Sequence, residues 1–170
     1  MCYFLTIASP LTLSEVRSML PAGLSAQPVD AAGIAAARRL LPGAQTVAAL
    51  LVGACSCDLV RDREAVARDD ERHLRSRLGA LRVPRDEIIR RLERHRRRPG
   101  PPTAEPWAPR LAAFVAEHAR NAGPTLYTLG FGDGPPPMRA DPPPLSRTVA
   151  EVRERPGGWL EEARPVLVVR

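Results

Sequence analysis

Three cysteines are the residues of this chain best suited to chemistry: Cys2, and the pair Cys55 and Cys57 with one serine between them. Thiolates select zinc, copper(I) or iron–sulfur clusters. In an extended segment, residues two apart point to one side, and on a turn both thiols of such a pair can converge on one ion. A zinc site usually takes four ligands, typically from two Cys-x-x-Cys-like pairs. This chain offers three cysteines and three histidines, His73, His95 and His118. The donor set that answers the need is Cys2, Cys55 and Cys57 with one histidine, and His73 is the nearest of the three to the pair. The leading expectation is therefore a thiol-based metal-binding protein for zinc or copper(I).

Cys2 carries an alternative. A small second residue permits removal of Met1, which would make Cys2 the first residue. Its own α-amino group would then be the base for its thiol, as in N-terminal-nucleophile hydrolases. Such enzymes begin with a strand, and class II glutamine amidotransferases follow the nucleophile with glycine; here Tyr3 follows, and Asn121 is the sole asparagine available to stabilise an amide oxyanion. A thiol nucleophile at Cys57 is the companion reading.

Other polar clusters read as ordinary structure. Gly130-Phe131-Gly132-Asp133-Gly134 has the look of a phosphate loop, but three prolines follow it, and a phosphate cradle needs a helix N-terminus at that point. His95 falls in an arginine run and reads as a solvated face. His118 falls on an apolar helix face and reads as a core histidine. Asp69, Asp70 and Glu71, with Glu64, have Arg63, Arg68 and Arg72 beside them and read as ordinary surface pairs.

The elements that must position the thiols are legible in outline. Tyr3 to Ala8 is short and apolar, closed by Pro10, and reads as a first strand. Thr12 and Glu15 have capping-box spacing, so a short helix should follow with Val16, Met19 and Leu20 on one face. Residues 31–40 allow another short helix. Thr46 to Val52 is an almost wholly apolar run between Gly43 and Gly53, a pattern that favours a buried strand. The cysteine pair then sits on the turn leaving that strand. Residues 64–81 and 85–98 are charged and helix-favouring, with Pro84 suited to a helix start. Residues 107–121 place Leu111, Phe114, Val115 and His118 on one helix face. Thr125 to Phe131 and Pro165 to Val169 read as strands, while Arg147 to Val152 is ambiguous between strand and helix. Together these give one α/β domain of the α+β type over 1–170, with a small mixed, mainly antiparallel sheet of four to five strands and helices packed on it. Antiparallel pairing of the first strand with 46–52 would bring Cys2 and Cys55 to one end of the sheet; parallel pairing would separate them.

The opening Met1-Cys2-Tyr3-Phe4 and the later Gly53-Ala54-Cys55-Ser56-Cys57 together resemble a group of small, uncharacterised bacterial proteins that begin Met-Cys-x-Phe and carry Gly-x-Cys-x-Cys after a strand. The resemblance covers these two short segments and brings no reaction with it. It implies that the three cysteines belong to one site, and that the chain is bacterial and cytoplasmic.

Composition narrows the remaining classes. Hydrophobic residues make up 44% and aromatics 4%, so the core must rest on Leu, Val, Ile and Ala. The 25 basic residues are all arginine and the net charge is +6. Arginine has GC-rich codons, as do the abundant Ala, Pro and Gly, so a high-GC genome explains the bias. A basic module binding nucleic acid or another anionic partner through 85–98 is the second alternative, though no aromatic residues interleave to stack bases. No segment reaches the roughly 20 apolar residues of a membrane span. Met1 to Pro10 lacks the basic start of a secretory signal. Thiols stay reduced in the cytoplasm, so three cysteines there point to ligands, nucleophiles or inert packing before structural disulfides.

Overall fold

The computed structural model describes residues 2–60, 71, 74–97, 106–135, 138, 139 and 141–170, excepting the side chains of 31, 32 and 95–97. They fall in two compact units, Met1–Val60 with Trp107–Arg170, and Arg61–Pro106.

The larger unit is a six-stranded sheet with helices on both faces, one strand more than the four to five expected. Its strands are β1 (Cys2–Ser9), β2 (Ser25–Pro28), β3 (Thr46–Leu51), β4 (Thr125–Gly132), β5 (Leu145–Thr148) and β6 (Val166–Val169), in the order β2-β3-β1-β4-β6-β5. β1 is central and antiparallel to both neighbours, pairing Leu5 with Leu50 and Cys2 with Gly132. β2 and β6 also join antiparallel, and the edge strand β5 runs parallel to β6. The sheet is therefore mixed and mainly antiparallel.

Residue types explain the order. β3 is buried at all six positions, and β1 at six of eight, which suits a strand covered on both faces and accounts for runs without polar alternation. Alternate residues of β1 serve the two faces. Leu5 and Ile7 join the main core with Leu50, Tyr127, Val166 and Val168. Over them pack α1 (Leu13–Ser18) through Val16, α3 (Cys57–Val60) through Leu59, α6 (Trp107–Ala122) through Leu111, Phe114 and Val115, and α7 (Val149–Glu154) through Val152. On the opposite face Ala8, Val47 and Leu126 meet Ala37 of α2 (Ala31–Leu40), while Phe4, Ala49 and Leu51 cluster with Cys2 against them.

Local signals set the helix ends. Thr12 caps α1 as a full capping box with Glu15, and Asp30 accepts the Gly33 amide at the start of α2. Thr148 and Glu151 form a second capping box. It divides the ambiguous stretch 147–152, ending β5 at Thr148 and opening α7 at the next residue.

In the smaller unit, α4 is described over 74–80 and α5 spans Arg85–Arg97. Leu78 and Leu92 are its buried residues among those described. Among the described residues, no helix is long and apolar enough to cross a membrane.

Candidate metal centre

β3 ends at Leu51, and the chain reverses at once. Gly53 sits at φ +68°, the left-handed region that glycine enters without steric cost. A Cβ there would meet nothing within 4 Å, so backbone conformation, not space, calls for glycine. The Val52 N–H closes the turn by donating to the Cys55 carbonyl at 2.9 Å.

The returning segment fills the place beside β1 that β3 has left. The Ser56 N–H donates to the Tyr3 carbonyl at 2.8 Å. The Leu5 N–H donates to Ser56 Oγ at 2.8 Å, and that hydroxyl donates in turn to the Leu50 carbonyl at 2.6 Å. Leu5 and Leu50 face each other in the β1–β3 register, so the fully buried Ser56 hydroxyl bridges two opposed residues of central strands. One residue on, the Tyr3 N–H donates to Cys57 Sγ at 3.4 Å. The Ser56 carbonyl accepts from the Leu59 N–H at 3.0 Å, opening α3.

Cys2 enters from β1 itself, opposite Gly132 of β4. The three sulfurs, Cys2, Cys55 and Cys57, lie within 4.8 Å of one another. All three are free thiols and partly exposed. Zinc–sulfur bonds of about 2.3 Å in a tetrahedron hold sulfurs about 3.8 Å apart. The thiols therefore need to close by no more than about 1 Å to share one ion, which small side-chain rotations supply. This is a cluster of three partly exposed thiols that could hold one ion.

The antiparallel β1–β3 pairing on which convergence depended is present, and the three expected cysteines are together. His73, the expected fourth donor, lies outside the described residues, as does the side chain of His95. His118 is in the core of the larger unit, fully buried, with Nε2 at 2.9 Å from Ser9 Oγ and Nδ1 at 3.3 Å from the Tyr127 hydroxyl. Burial holds its pKa down, from 6.5 to about 4. Gly132 ends β4 and Gly130 faces Phe4 across the strands, so these glycines belong to the sheet. Asn121 donates to the Glu117 carbonyl within α6.

The residue that the spacing of the cysteines does not reveal is Ser56. A serine between two cysteines carries no sequence signal of its own. Its role becomes visible once β1 is known to lie beside the β3 exit.

In the arginine-rich helix, three of the described arginines share one carboxylate. Glu87 of α5 meets Arg91 at 2.9 Å, Arg90 at 3.3 Å and Arg94 at 3.3 Å. The hydrogen bond from Arg91, with the charges of Arg90, Arg91 and Arg94, holds the Glu87 carboxyl below its usual range. Solvent-exposed pairs of this kind contribute little to stability.

No protein-family model matches the chain, and no curated protein or solved structure is significantly similar to it.

Proposed function

We propose that this protein binds one thiophilic metal ion, zinc or copper(I), through the thiolates of Cys2, Cys55 and Cys57. The observation that carries the reading is the approach of three sulfurs to within 4.8 Å of one another, one from the start of β1 and two from the turn between β3 and α3, more than fifty residues on in the chain. Thiolates are soft donors that favour these ions over magnesium or calcium. Three sulfurs complete a three-coordinate copper(I) site; zinc requires a fourth ligand beyond the three thiolates. Partial exposure gives the ion a path in from solvent. The proteins that share the Met-Cys-x-Phe start and the Gly-x-Cys-x-Cys segment would build the same site, because those two segments are the ones that meet.

The test is metal analysis of protein purified under reducing conditions, followed by titration with zinc and copper(I). About one ion per chain is expected, lost in Cys55→Ser/Cys57→Ser. A parent protein that neither carries nor takes up metal overturns the proposal.

A further inference from the structure

We infer that Ser56 is the positioning residue of the thiol site, its buried hydroxyl fixing where the Cys55 and Cys57 sulfurs stand relative to Cys2. The inference rests on the metal-site reading for its purpose, but its geometry stands independently.

Ser56 is fully buried while the cysteines on either side of it are partly exposed. Its side chain therefore points into the protein as its neighbours' thiols gather outside. It is held at four points: its N–H on the Tyr3 carbonyl, its carbonyl on the Leu59 N–H, and its hydroxyl on both the Leu5 N–H and the Leu50 carbonyl. The hydroxyl bonds are the ones that tie the turn to two central strands at once. One reaches β1 three residues beyond Cys2; the other reaches the last part of β3, just before the turn that presents Cys55.

A hydroxyl suits this post because it donates and accepts together. An alanine would leave the Leu5 N–H and the Leu50 carbonyl without this partner in a dry environment, where unmade hydrogen bonds are costly. The strands and the turn would then shift to find other partners. Both cysteines are bonded neighbours of Ser56 and would move with it. The Tyr3 N–H contact to Cys57 Sγ, at 3.4 Å, would be the first to lengthen. Metal sites lose affinity when the groups that orient their ligands are removed, commonly by about 10- to 100-fold.

The experiment compares the parent with Ser56→Ala, Ser56→Thr and Val152→Ala, the last a truncation in the main core. Each is titrated with zinc against a chromophoric chelator, and with cobalt(II), whose thiolate charge-transfer absorption reports sulfur ligation. Each is also reacted with a monosubstituted trivalent arsenical, which bridges two neighbouring thiols whether or not the protein binds metal. The expected result is at least tenfold weaker zinc binding and weaker charge-transfer absorption in folded Ser56→Ala. Arsenical bridging should slow at least tenfold in the same variant. Ser56→Thr, which keeps the hydroxyl, and Val152→Ala should stay close to the parent.

Parental behaviour of Ser56→Ala overturns the inference, and so does an equal loss in Val152→Ala, which would trace the effect to general loosening. If Ser56→Ala does not fold, Ser56→Thr decides: near-parental bridging supports the role, and a tenfold loss in a folded Thr variant overturns it. A parent that binds no metal ends the proposed function, while the arsenical rates still decide the role of Ser56.

Discussion

His118 makes the stability of the larger unit dependent on pH in a way that can be calculated. It lies fully buried between Ser9 and Tyr127, with the Phe114 ring stacked at 5.4 Å. No carboxylate is among these neighbours, and burial raises the pKa of Tyr127, so no anion there compensates an imidazolium. The folded pKa is about 4 against 6.5 for the free side chain. Between those two values the unfolded chain holds a proton that the folded chain refuses. Stability therefore rises with pH across this window, is fully restored above about 6.5, and is lost as pH falls toward 4. At 1.36 kcal/mol per pH step, the gap amounts to about 3 kcal/mol. That is a large part of the 5–15 kcal/mol typical of a domain. The assay is urea denaturation at pH 7.5, 6, 5 and 4.5 on the parent and on His118→Gln, which does not titrate. Carboxylates protonate in both proteins and cancel in the difference. The variant should be less stable than the parent at pH 7.5 and lose less on acidification, so the two curves converge by roughly 2–3 kcal/mol at pH 4.5. Parallel curves would refute the assignment of His118 as a buried neutral base.

Two further outcomes follow from local geometry. Gly53→Ala forces a Cβ into φ +68° with open space around it, so it should cost about 1–2 kcal/mol in chemical denaturation; a neutral result would mean the turn relaxes. Glu87→Gln removes the carboxylate shared by Arg90, Arg91 and Arg94, and should raise the salt concentration needed to elute the protein from a polyanion column; unchanged elution would show that α5 does not meet the matrix.

The parts of the fold that sequence made visible are those where residue type and environment agree. β3 reads as a strand because five of its six residues are apolar, and all six are buried, while β1 and β4 are each buried at six of eight. The capping box at Thr12 marks a helix start with local chemistry alone, whereas the one at Thr148 falls in the stretch 147–152 whose pattern is ambiguous between strand and helix. β2, with the sequence SAQP, has one buried residue in four, and β5, LSRT, has none. Edge strands like these have little apolar burial to betray them, and their pairing depends on partners far along the chain. The same reasoning separates the site residues. Three cysteines announce themselves by type. Ser56 is functional through what β1 and β3 place around it, and nothing in its immediate sequence encodes that arrangement.

The position of β1 at the middle of the sheet has a consequence for biosynthesis. Cys2 leaves the ribosome 130 positions ahead of its β4 neighbour, Gly132. The Cys55–Cys57 turn emerges well before that, at a stage when β1, β2 and β3 can form at most a three-stranded sheet, the smallest that holds in water. The strands that frame the three thiols are therefore complete only once β4 has been made.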